Sequence, residues 1–221
     1  MTPSSLPCAS LDYSIEDSAE RMYLTEAELN QVLLKEGIYP VGKPMDVVSL
    51  HRIEQAIVHH PMVRTAECYM TPRYEMKIEL TQRIPLLRVQ TPHEHYLIDT
   101  DRRVMEARES VKDSVLQVNG NVSPQLAATQ FADFAKWLQS NRYWRTRVDH
   151  LYVQSPQMVY IYLRDETARQ KTDRVLLGTM FGYERKLTKL RTFLENGAEA
   201  TQDKHYRELD LRFRGQVIGR N

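Results

Sequence analysis

Hydrophobic positions recur along this chain in two rhythms, and each rhythm predicts a set of elements. Leu29, Val32 and Leu33 fall three and four residues apart, the spacing that lines one face of an α-helix. That helix opens on a capping box, Thr25-Glu26-Ala27-Glu28: the Thr25 hydroxyl accepts the Glu28 N–H, and the Glu28 carboxylate reaches back to the Thr25 N–H. Leu24 and Leu29 flank the cap as a hydrophobic staple, and Gly37 is the expected stop. A second helix starts after Ser49, turns Leu50, Ile53, Ala56 and Ile57 to one side, and ends before Pro61. The rhythm then shortens to two. Val63–Met70 is β-rich, Pro72-Arg73 makes a turn, and Tyr74, Met76, Ile78 and Leu80 alternate with Glu75, Lys77, Glu79 and Thr81. With Leu11–Ile15 as an earlier strand, residues 9 to 83 read β-α-α-β-β.

Pro85 breaks this pattern, and short strands follow at Leu87–Gln90, Tyr96–Ile98, Arg103–Met105 and Val115–Val118. A helix is predicted from Ser123 as N-cap and Pro124 at the first helical position, with Phe131, Phe134, Ala135 and Leu138 inward. Val148–Val153 and Met158–Leu163 form a hairpin around Ser155-Pro156-Gln157, and Arg174–Leu177 is a further strand. A last helix covers Tyr183–Asn196, stopped by Gly197. One closing strand is predicted over Tyr206–Ile218, with Leu209, Leu211 and Phe213 alternating with Glu208, Asp210, Arg212 and Arg214.

Composition narrows the chemistry. The 221 residues carry 30 Lys and Arg against 29 Asp and Glu, a formal net charge of +1, which argues against a general polyanion binder. The balance is uneven, with a net −5 over residues 1–40 and +4 over 164–221, which leaves room for steering a partner protein. Mean hydropathy is −0.53, and no apolar run approaches the roughly 20 residues a membrane helix needs. The first ten residues lack the pattern of a signal peptide. Cys8 and Cys68 allow at most one bridge. Cys8 sits near a terminus expected to be loose, and Cys68 reads as a small apolar strand residue. His93-Glu94-His95 offers two metal donors and no third, and His59-His60 suits a helix C-terminus. No phosphate loop, GxSxG or HExxH is present. Trp137, Tyr143, Trp144, Tyr152, Tyr160 and Tyr162 lie near bases, but their spacing favours packing over base stacking. What remains is a terminal amphipathic strand of the kind that often lies at a sheet edge, where it either completes its own sheet or takes up a partner's strand.

The β-α-α-β-β run resembles a POTRA domain, with Ile53-Glu54, His60-Pro61-Met62-Val63 and Ala66 in the family's helix, Pro, Val-x-x-Ala pattern. Lys77-Ile78-Glu79-Leu80-Thr81-Gln82-Arg83-Ile84-Pro85 is similar to the exit of that domain in the FtsQ/DivIB division proteins. Tyr96–Val104 resembles the family's I-D-x-x-G-x-V hairpin, with Asp101-Arg102 where the family has Gly, and Tyr206–Phe213 resembles its closing Y-x-x-x-D-L-R-Y/F. The family's opening V-x-G is absent around residues 11–24, and Arg214-Gly215-Gln216 also departs from some relatives.

The resemblance implies an α+β chain: a flexible segment at 1–8, a POTRA domain at 9–88, and a strand-rich β domain with two helices at 89–221, ending in the partner-binding strand. It implies a non-enzymatic divisome scaffold with no catalytic residue, cofactor or metal. The partners would be FtsB and FtsL-like proteins, bound by strand addition at Arg212, Phe213, Gln216, Val217 and Ile218, with other division proteins at the POTRA domain. The setting would be the periplasmic side of a single-pass inner-membrane protein at the septum, with an apolar stretch of about 20 residues expected upstream of Met1. The alternatives are a POTRA protein of outer-membrane assembly or secretion, a hydrolase with a dispersed acid pair, and a nucleic-acid binder.

Overall fold

A computed structural model describes residues 6–16, 23–111, 115–164, 172–196 and 206–221. The chain divides between Ile84 and Pro85 into two compact units. The first contains β1 (Ser10–Glu16), α1 (Glu26–Lys35), α2 (Leu50–Val58), β2 (Val63–Met70) and β3 (Glu75–Gln82). Its sheet has the order β1-β3-β2, with β1 parallel and β2 antiparallel to β3. The local signals explain why these elements form. The Thr25 capping box is complete, with both reciprocal bonds in place. Ser49 caps α2 by accepting the Arg52 N–H. Leu29 and Leu33 of α1, Ile53 and Ile57 of α2, and Met76, Ile78 and Leu80 of β3 are buried and make the core.

Two expectations fail here. Tyr74 is exposed and adopts φ 62°, because the Thr71–Glu75 turn claims it: the Tyr74 N–H donates to the Thr71 carbonyl and the Thr71 N–H to that of Glu75. Cys8 is not in a loose tail. Its N–H donates to the Lys43 carbonyl, its own carbonyl accepts from Gly42, and its side chain is 2% exposed. Cys8 and Cys68 are both free and buried.

The second unit contains β4 (Pro85–Gln90), β5 (His95–Asp99), β6 (Val104–Glu106), β7 (Leu116–Gly120), α3 (Pro124–Leu126), α4 (Ala132–Ser140), β8 (Val148–Ser155), β9 (Met158–Leu163), β10 (Thr172–Gly178), α5 (Tyr183–Asn196), β11 (Tyr206–Asp210) and β12 (Ile218–Arg220). β4 is unbroken and lies wholly in this unit, so residues 85–88 belong here and not with the first domain. The sheet has nine strands in the order β12-β11-β10-β9-β8-β7-β4-β5-β6. The expected β8–β9 hairpin is antiparallel, with register shifts at Val148–His150 and Val153–Ser155.

A π turn at Ala127–Phe131 joins α3 to α4, and its extra residue brings Phe131 and Ala132 together onto the buried side. α4 and α5 cover the same face of the sheet, where Phe134 and Trp137 meet Tyr183 edge-on at 5.1 and 5.4 Å. Leu187, Leu190 and Leu194 face inward as the spacing predicts, whereas the Gly197 stop lies outside the described residues. In the β5–β6 turn, Arg102 adopts φ 66°, the conformation a Gly would take more easily. The Asp99 carboxylate secures that turn by accepting the Asp101 and Arg103 N–H groups at 2.9 and 2.7 Å.

Candidate partner-binding edge

The predicted closing strand is two strands. β11 ends at Asp210, the chain reverses through Leu211–Val217 with Gly215 at φ 75°, and β12 returns antiparallel to β11. β12 is therefore an outer strand of the nine-stranded sheet. The directions of its backbone groups follow from its neighbours. β10 and β11 are parallel, and the Leu211 N–H donates to the Leu176 carbonyl at 2.9 Å. Alternation then turns Leu209 toward β10, and turns Glu208 and Asp210 toward β12, where they pair with Arg220 and Ile218. Ile218 and Arg220 thus point their backbone groups inward, and Gly219 points its groups at the open edge. Only glycine fits at position 219, since an added Cβ would lie 2.3 Å from the Tyr206 ring.

Behind this edge lies a charge cluster that simple alternation misreads. Glu208 and Asp210 were expected on the solvated side, yet they are 6% and 0% exposed. Arg212 folds back on Asp210, with guanidinium Nη2 donating to Oδ2 at 2.7 Å and Nε to Oδ1 and Oδ2 at 3.0 and 3.2 Å, and adds its own N–H at 3.0 Å. Arg220 reaches Asp210 at 3.0 Å and Glu208 at 3.4 Å, and Arg174 meets Glu208 at 2.9 Å. Burial alone would raise the Asp210 carboxyl. The Arg212 bonds, with the charges of Arg212 and Arg220, outweigh it and hold the group below its ordinary value. Lys189 of α5 donates to the carbonyls of Leu211 and Phe213 and so secures the start of the reversal. Burial pulls this ammonium below its ordinary pKa, and the Asp210 charge acts in the opposite sense.

The five residues expected at the site are gathered within this reversal and strand, in different environments. Arg212 has its head on Asp210. Phe213 is 46% exposed instead of inward, Gln216 is exposed, Val217 packs on the core, and Ile218 opens β12. Sequence reasoning missed Asp210, Glu208, Arg220 and Lys189 as supports. The available signal was Gly215 inside an apparent strand, a position that often marks a turn or bulge.

Two other edges bear on the choice. β6 closes the far side of the same sheet with only three residues. β2 is an eight-residue edge in the first unit, and the Glu54 carboxylate of α2 accepts its Cys68 N–H at 2.8 Å. Burial, with the Glu54 charge adding, pushes the Cys68 thiol up to about 12.

Most of the named aromatics pack as expected: Trp144 and Tyr160 are buried, and Trp137 and Tyr143 lie against the core. Tyr152 is the exception at 42% exposed, and Tyr162 stacks on His150 at 4.4 Å. His59 caps the end of α2, its Nδ1 paired with the Gln55 carbonyl. Among the described residues, no group of three or more His, Cys, Asp or Glu is placed to hold a metal ion. No helix among them is long and apolar enough to cross a membrane.

Comparison with known families agrees with this division of the chain. A POTRA-like domain model matches residues 6–81, and a model described as FtsQ/DivIB, C-terminal related, matches residues 84–220. No curated protein matches the chain significantly.

Proposed function

The chain belongs to the FtsQ/DivIB family of cell division proteins, and from that premise we propose that it is a non-enzymatic scaffold whose C-terminal edge takes up a strand of an FtsB-type partner. FtsL joins through the same assembly, and the scaffold links early to late division proteins that control septal peptidoglycan synthesis. In this reading the protein works on the extracytoplasmic face of the inner membrane at the septum, and the POTRA-like unit serves other division proteins. Affinity comes from main-chain bonds along the added strand, and alternate side chains supply specificity.

The observation that carries this reading is the edge itself. β12 leaves the backbone groups of Gly219 directed outward, while ion pairs from Arg212 and Arg220 to the buried Asp210 carboxylate brace it from behind. The rival of outer-membrane assembly or secretion shares only the POTRA-like unit, and the match over residues 84–220 favours division.

Val217→Pro tests the proposal. Proline removes the backbone donor of the residue that leads into β12, without touching the inward pairs of Ile218 and Arg220. Titration of the FtsB-type partner's extracytoplasmic segment should lose about tenfold or more in affinity, while the variant stays folded. Unchanged affinity in a folded variant would rule out strand addition at this edge.

A further inference from the structure

Phe181 lies in the β10–α5 turn and is 83% exposed, the most exposed large apolar side chain among the described residues. Its turn is firmly built. Met180 beside it is 3% exposed, Gly178 and Gly182 bracket it at φ 77° and 66°, and the Lys186 ammonium holds the Thr179 carbonyl at 2.8 Å. The turn also abuts the reversal that carries Phe213. A Cβ at Gly178 would lie 2.8 Å from Arg212 Cγ, and Lys189, one helical turn beyond Lys186, holds the Phe213 carbonyl. Two exposed phenylalanines therefore rise from neighbouring loops that the same face of α5 ties down.

The register places this pair at one end of the proposed edge. Leu176 of β10 pairs with Asp210 of β11, and Asp210 pairs with Ile218 of β12, so the start of β12 lies at the end of the sheet where β10 runs into Phe181. A strand added outside β12 leaves the sheet at this end. Three strand spacings, about 14 Å, separate the added strand from β10, a distance that four extended residues cover. The surroundings are basic on balance: Arg185 and Arg214 are exposed against a single exposed acid, Glu184, while Glu208 and Asp210 are buried against arginines.

Resting on the strand-addition reading, we propose that Phe181 is a second anchor for the same partner chain. It takes a large apolar side chain about four residues beyond one end of the partner's strand, in a segment carrying acidic residues. The partner turns across the ends of β12 and β11, covers Phe213 and buries Phe181, while Arg185 and Arg214 face its carboxylates. An exposed aromatic ringed by polar groups becomes a strong anchor once a partner dries it.

The test uses the full chain and two probes: the partner's whole extracytoplasmic segment, and the same segment cut back to its strand. Phe181→Ala should weaken the whole segment about tenfold and leave the strand-only probe unchanged. Arg214→Glu with Arg185→Glu should weaken the whole segment in the same selective way. Equal affinity of wild type and Phe181→Ala for the whole segment overturns the second anchor, even where Val217→Pro shows that strand addition holds. If Val217→Pro alters neither probe, strand addition itself fails and the anchor falls with it. Two further results also overturn the proposal: a dimer in sedimentation that Phe181→Ala dissolves, which assigns the patch to a second copy, or loss in Phe181→Ala of binding to vesicles of phosphatidylglycerol and phosphatidylethanolamine with segment binding intact.

Discussion

The two sheets each end in an outer strand, and they treat it in opposite ways. β2 in the first unit is eight residues long and looks the better template for a partner. Yet α2 lays the Glu54 carboxylate on its outward Cys68 N–H, in the middle of the strand. β12 is only three residues long, its ion pairs run inward to β11, and among the described residues no side chain is bonded to its outward Gly219 groups. On the proposed reading, length is a poor guide to which edge takes up a partner. The deciding feature is whether a side chain of the same unit occupies the outward groups.

The strongest way to break this contrast is Asp210→Asn. It leaves Arg212 and Arg220 facing a buried neutral amide and should cost about 3 kcal/mol in chemical unfolding. The native pair also binds fewer protons than the unfolded carboxyl. Its share of stability is therefore present above the ordinary carboxylate pKa and lost as pH falls through the depressed value, and Asp210→Asn should flatten that acid limb. Faster exchange of the β11 amides facing β12 would locate the damage, and unchanged exchange would show that the arginines do not brace the edge.

A weaker perturbation works on the other sheet. Glu54→Ala should cost about 1.5 kcal/mol and expose the Cys68 amide to exchange. Self-association at high concentration would then show that β2 had been held shut, whereas an unaltered Cys68 amide would refute the plug.

The smallest effect is the pH response of Cys68. Its thiol pKa is raised from 9.0 to about 12 in the folded chain, so the stabilisation is complete below pH 9 and is lost as pH rises through the folded value. Melts under reducing conditions should show about 1 kcal/mol lost between pH 8 and 10. Cys68→Ala should reduce that slope, and Glu54→Gln should reduce it less, since burial is the larger cause.

The same contrast explains what was legible in the sequence. The first unit was readable because its signals are local: the Thr25–Glu28 box, the Ser49 cap and the alternation of Met76, Ile78 and Leu80 each act within a few residues. The edge of the second unit was not. Glu208 and Asp210 looked like a solvated face because alternation assumes that acids seek water, and Arg174 and Arg220, which make their burial tolerable, lie on other strands. Arg212, though two residues away, folds back only because the chain leaves β11 there. The five expected partner residues lie in a reversal leading into a short strand, not along one continuous strand.

The buried carboxylate of Asp210 has a kinetic consequence. Salt screens exposed charges beyond roughly a Debye length, about 8 Å at physiological ionic strength, but reaches a fully covered group poorly. Arg185 and Arg214 on the rim are open to that screening, whereas the Asp210 carboxylate behind β12 is far less so. Raising ionic strength should therefore slow the capture of an acidic partner while leaving its residence time on the edge nearly constant.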